Sequence, residues 1–100
     1  MYRLLRSVKV KPATAMESIQ IAQEIANYVN KNYPKVNVQV CIPIFSELQK
    51  VVWFADYESL TFIQELNQKI MADEKYMAIV LKLADKVIEG SGKDELFQTL

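Results

Sequence analysis

Five side chains in this sequence have the types needed to hold a small molecule: Lys9, Asn37, Gln39, Cys41 and Trp53. The indole offers a broad apolar face with one N–H donor. The two amides supply donors and acceptors for a polar head group, the lysine a cation, and the thiol a small, soft neighbour. Asn37, Gln39 and Cys41 recur every second residue, so on an extended strand they share one face. Such a set can bind and orient a ligand but is poorly equipped for acid–base work, because the chain has no histidine. That removes the commonest general base, the commonest metal ligand and every Ser-His or Cys-His pair. A base would have to be a carboxylate, Lys9 with a depressed pKa, or the ligand itself. The single cysteine can neither close an intramolecular disulfide nor complete a zinc site. The residue inventory therefore predicts neither metal nor cofactor.

The elements that must position these residues are well marked. The chain has 100 residues, 51% of them hydrophobic and 24% charged, with only 2 Gly and 3 Pro. This is the balance of one globular domain over 1–100, rich in regular structure and short of breakers. Residues 2–11 alternate as a strand, with Leu4, Val8 and Val10 on one parity and Leu5, Ser7 and Lys9 on the other. Arg6 falls on the apolar parity and spoils it, which calls for a position beyond the helix-covered zone or a bulge. Thr14-x-x-Glu17 reads as a capping box opening an amphipathic helix with Ala22, Ile25, Ala26, Val29 and Tyr33 on one stripe. Pro34 closes it. Val36, Val38, Val40 and Ile42 then alternate with Asn37, Gln39 and Cys41, predicting a second strand with one apolar face.

Glu47 to Ala55 reads as a third strand, joined to the second by a short hairpin around 44–48, with Val52 and Phe54 on one parity and Gln49, Val51 and Trp53 on the other. Asp56 or Ser59 caps a second helix carrying Phe62, Ile63, Leu66 and Ile70, and Asp73 caps a third carrying Met77, Val80, Ala84, Val87 and Ile88. Gly90 suits the end of that helix. Leu96, Gln98 and Leu100 line one side of a short last strand.

The order β-α-β-β-α(α)-β is the ferredoxin-like arrangement, an α+β fold with helices on one face of an antiparallel sheet. Val8, Val10, Val36, Val38, Val40, Ile42, Val52 and Phe54 are expected under the helices. Leu5, Ser7, Lys9, Asn37, Gln39, Cys41, Gln49, Val51 and Trp53 are expected on the opposite face. An uncovered face with an indole and aliphatic residues at its centre points to cover by a second copy of the chain.

The segment Val8-Lys9-Val10-Lys11-Pro12 before a helix, and the segment Val51 to Leu60 with its Trp53-Phe54-Ala55-Asp56-Tyr57-Glu58-Ser59 run, carry a resemblance. The chain resembles the dimeric α/β-barrel superfamily, and within it the antibiotic-biosynthesis-monooxygenase-like and NIPSNAP-like groups. The resemblance covers nearly the whole chain and implies two sheets meeting face to face in a homodimer, with a cavity between each sheet and its own helices or loops. It also implies a bound aromatic substrate in the oxygenase members, whose polar side chains often include Asn, Trp and His. The absence of histidine closes the haem-degrading branch.

Three functions follow. The first is a small homodimer that binds an apolar or aromatic molecule near Trp53, Asn37, Gln39, Lys9 and Cys41. The second is a cofactor-independent monooxygenase. The third is an RRM-like RNA-binding module, since Trp53 and Phe54 sit on the third strand where such modules stack bases. Against the third stand the missing glycines of that signature and a formal net charge of +0, which also argues against an anionic membrane. With no leading apolar stretch, the chain is expected in the cytoplasm.

Overall fold

The computed structural model describes residues 1–44 and 49–100. Its elements are β1 (Tyr2–Lys9), a 3-10 turn (Pro12–Thr14), α1 (Ala15–Asn32), β2 (Gln39–Cys41), β3 (Lys50–Tyr57), α2 (Leu60–Met71), α3 (Glu74–Ala84) and β4 (Lys93–Gln98). The strands form an antiparallel sheet in the order β2-β3-β1-β4. This is the expected ferredoxin-like topology. The expected barrel is not present: the sheet is open, with β2 and β4 at opposite edges. Closure needs the outer strands to pair, and four strands with a three-residue edge strand have neither the number nor the length for it. Among the described residues no helix is long and apolar enough to cross a membrane.

The register settles which face meets the helices. Val8 pairs with Val51, Arg6 with Trp53 and Leu4 with Ala55, so each pair shares a face. Val51 is 1% exposed and packs with Val10 and Ala22 of α1, while Ala55 and Tyr57 join Val29, Val36 and Leu66 in a second cluster. The expected parity of the third strand is therefore reversed. Val51 and Trp53 lie under the helices, and Val52 and Phe54 lie on the open face with Leu5, Ser7 and Lys9. Residues 51 to 54 are apolar on both parities, so alternation carries no sign there; the sign comes from pairing with β1.

Local chemistry shortens or moves several other elements. Only Gln39–Cys41 of the expected second strand is in the sheet, because Asn30 claims the backbone before it. Its side-chain amide donates to the Val38 carbonyl at 3.0 Å and its oxygen accepts from the Val38 N–H at 2.7 Å. The capping box at Thr14 does not form. The 3-10 turn ahead of α1 turns the Thr14 hydroxyl back to the Lys11 carbonyl, 3.3 Å away. Ser59, not Asp56, caps α2 by accepting from the Phe62 N–H at 3.1 Å. Asp56 stays in β3 and pairs with Arg3. Helix α3 stops at Ala84, short of Gly90, because Val87 bridges to Val10 and Ile88 donates to the Lys9 carbonyl. Gly90, at φ +78°, serves the turn that follows. The hairpin expected around 44–48, and the start of the third strand at Glu47, fall largely outside the described residues.

Candidate functional site

Helix α1 packs on β2 and β3, and α2 on β3; α3 leans on α1 and α2. Among the described residues no helix packs closely on β4. A cavity of about 380 Å³ lies between α3 and the β1–β3 part of the sheet. Leu4, Val8, Trp53 and Ala55 form its floor, Tyr76, Met77, Val80 and Leu83 its roof, and Ile25 and Val29 of α1 one wall. The volume lies in the range of small-ligand sites, and the lining is almost wholly apolar. Two methionines, Met71 and Met77, give the wall side chains that repack easily.

Three polar groups enter this space. Arg6 reaches it because it lies neither beyond the helices nor on a bulge: β1 is regular, and Arg6 occupies the core-facing parity beside Trp53. Its guanidinium is held side-on by Asp94, its neighbour across β4, with Nε donating at 2.8 Å and Nη2 at 3.0 Å. Arg6 and Asp94 are 45% and 52% exposed, so the pair sits at the cavity rim. The Asp94 carboxyl is held below the usual carboxylate range, first by this hydrogen bond. The other two groups are the phenols of Tyr57 and Tyr76. Burial pushes both up; the nearby Arg6 charge opposes that shift, at Tyr76 together with a side-chain hydrogen bond to Arg6.

The roof is fixed by a carboxylate hub. Asp73 caps α3 by accepting from the Lys75 and Tyr76 amides, each at 3.1 Å. It also accepts from the Tyr33 hydroxyl at 2.6 Å and the Tyr28 hydroxyl at 2.8 Å, Tyr28 lying in the C-terminal part of α1 and Tyr33 at its C-cap. The Tyr28 and Tyr76 rings lie 6.5 Å apart. The hub holds the Asp73 carboxyl below its ordinary range, chiefly through Tyr33, and the same hydrogen bond pushes the Tyr33 phenol up to about 12. The signs follow by linkage. A depressed carboxyl stabilises the fold above its unfolded pKa of about 4, and that contribution is lost as pH falls through the folded value. A raised phenol stabilises below its unfolded pKa of about 10, and that contribution is lost between pH 10 and about 12. Thermal melts across pH should therefore show Tm falling below about pH 4 and above about pH 10. Tyr33→Phe should flatten the alkaline limb. An unaltered limb in that variant would assign the loss to other groups.

The structure divides the five residues read from the sequence. Trp53 lines the cavity, with its indole N–H donating to the Ala22 carbonyl at 3.0 Å. Lys9, Gln39 and Cys41 lie on the opposite, open face of the sheet, since Gln39 pairs with Phe54 and Cys41 with Val52. Asn37 is exposed in the segment before β2. Trp53 and Phe54 point to opposite faces, so they do not form a stacking pair. The cavity residues missed by this reading are Arg6, Tyr57 and Tyr76. Their one signal was the charge of Arg6 on an apolar parity; Tyr57 is the buried last residue of β3.

No family model matches the chain, and no curated protein matches it. Solved structures do. A NIPSNAP domain protein from Burkholderia xenovorans superposes with a TM-score of 0.83 at 13% identity, covering 100% of this chain and 95% of that one. A NIPSNAP family protein from Agrobacterium tumefaciens gives 0.81 at 14% identity, over 99% and 92% of the two chains. An antibiotic biosynthesis monooxygenase gives 0.76 at 11% identity, over 100% and 99%. At such identities the likeness is one of fold. The chain has the fold of the NIPSNAP-like and monooxygenase-like proteins.

Proposed function

We propose that this protein binds a small apolar or aromatic molecule in the cavity between α3 and the sheet. The observation that carries the reading is a cavity of about 380 Å³ whose wall joins Trp53 to aliphatic and methionine side chains, with Arg6, Tyr57 and Tyr76 as its few polar groups. Binding without catalysis is preferred to oxygenation of the ligand. The oxygenase reading leaned on Asn37 together with Trp53, and these two do not face the same space.

A neutral fluorescent probe small enough for this volume, 1-naphthylamine, tests the reading. Its emission should shift to the blue on titration, saturating at one probe per chain. Val80→Phe, which fills the cavity from the roof, should weaken that uptake strongly. Equal uptake by parent and variant would place the probe elsewhere. Oxygen consumption with a phenolic ligand would restore the oxygenase reading.

The reading includes a second copy of the chain on the open face. Leu5, Val52, Phe54 and Phe97 share that face, and Phe97 on the edge strand is 49% exposed. Two of the basic residues on that face already have acidic partners, Arg3 with Asp56 and Lys93 with Glu95, so docking strands neither. Native mass spectrometry at micromolar concentration should show twice 11.5 kDa; monomer alone would sink this part of the reading.

A further inference from the structure

We propose that Arg6 is an anion subsite of the cavity and that the ligand is an amphipathic carboxylate, an apolar body with one carboxylate head. The inference rests on the cavity reading above and names the class of molecule it takes.

Among the described residues, Arg6 is the one charged side chain lining the cavity. Asp94 holds it from outside that lining, so a ligand within meets the guanidinium without first meeting a carboxylate. The geometry of the pair leaves a place for the ligand. Asp94 occupies the side-on edge of the guanidinium, formed by Nε and Nη2. The remaining N–H donors of the guanidinium, with the Tyr76 hydroxyl beside them, still offer a fork matched to a carboxylate. Asp94 also keeps the long side chain in one position, which reduces the ordering cost of binding. Across the sheet Trp53 is the direct neighbour of Arg6, so an aromatic or alkyl body lying on the indole brings its head group to the guanidinium. The Tyr57 phenol from the sheet and the Tyr76 phenol from the roof both line the cavity and are neutral at physiological pH, burial pushing each further up.

The size of the body is set by the volume. About 380 Å³ holds roughly a dozen non-hydrogen atoms at liquid-like spacing. The probe pair is therefore 4-phenylbutyrate and its neutral amide, which share one apolar body and differ only at the head. Trp53, the single tryptophan, reports both through its emission. At pH 7 the carboxylate should bind at least about tenfold more tightly than the amide, as a charge-assisted bidentate pair implies. Arg6→Met should erase the difference while amide binding persists. Asp94→Asn, which removes the negative charge beside the guanidinium but keeps an oxygen acceptor to hold it, should tighten the carboxylate several-fold and leave the amide unchanged. If Arg6→Met does not fold, Asp94→Asn carries the test, and unchanged carboxylate affinity there overturns the subsite. Equal affinities in the parent protein, or a preference that survives in Arg6→Met, also overturn it while leaving the cavity reading standing. No binding by either compound overturns both.

Discussion

Val51→Glu is expected to leave the chain unfolded at 25 °C, whereas Val52→Glu, one residue on, should fold and melt within a few degrees of the parent. Val51 is 1% exposed, fixed between Val10 and Ala22. Replacing it loses roughly 1.5–3 kcal/mol of side-chain burial. It also places a carboxylate in apolar surroundings, where an uncompensated charge costs about 3–5 kcal/mol. Protonation at a raised pKa recovers part of that cost, but the neutral acid still needs hydrogen-bond partners that Val10 and Ala22 do not offer. The sum is comparable with the whole stability of a small domain, about 5–15 kcal/mol. Val52 is only half-buried and faces the open side of the sheet, between Ser7 of β1 and Cys41 of β2. A carboxylate there reaches water. If a second copy covers that face, Val52→Glu should shift the mass from dimer to monomer with the secondary structure intact. Circular dichroism melts of the two variants read the outcome. Equal loss in both, or loss in Val52→Glu alone, would contradict the register described above.

This pair of variants also marks the boundary of what the sequence states. The element order was legible because α1 has one unbroken apolar stripe, and because Val36 to Ile42 alternate strictly. The sidedness of β3 was not legible, since a run apolar on both parities fits either face and only pairing with Val8 decides it. The extent of β2 was hidden for a different reason. A side chain eight residues earlier, Asn30, substitutes for a neighbouring strand at Val38, and no periodicity registers a bond of that kind. The site was less legible than the fold. A cavity is space that packing leaves, and here it depends on where the Asp73 hub holds α3 relative to the sheet. Asp73 announced itself only as a helix cap; its two tyrosine partners lie 40 and 45 residues away. Arg6 did break its strand's pattern, and the break marked the cavity rim. The residues chosen for their chemistry scattered because parity places Trp53 on one side of the sheet and Lys9, Gln39 and Cys41 on the other.

Trp53→Ala should cost about 3 kcal/mol, the lower end for a large aromatic in a core, because the indole is only partly buried. For a chain of this length that is a fall in Tm of roughly 15 °C. Two contributions make up the loss and can be separated. The indole N–H donates to the Ala22 carbonyl at 3.0 Å, but that carbonyl also serves the helical ladder of α1, so removing the donor does not orphan it. Trp53→Phe, which keeps a ring and drops the donor, should therefore cost only about 1 kcal/mol. The remainder is packing against Val10, Ala22 and Val51, which alanine abandons. The new void adjoins the ligand cavity, because the indole forms part of its floor. A bound apolar molecule can occupy that void, and binding to the folded state alone raises Tm by mass action. The same concentration of 4-phenylbutyramide should then raise the Tm of Trp53→Ala at least as much as that of the parent. A smaller rise would mean that the contact between the ligand and the indole outweighs the space gained by its removal.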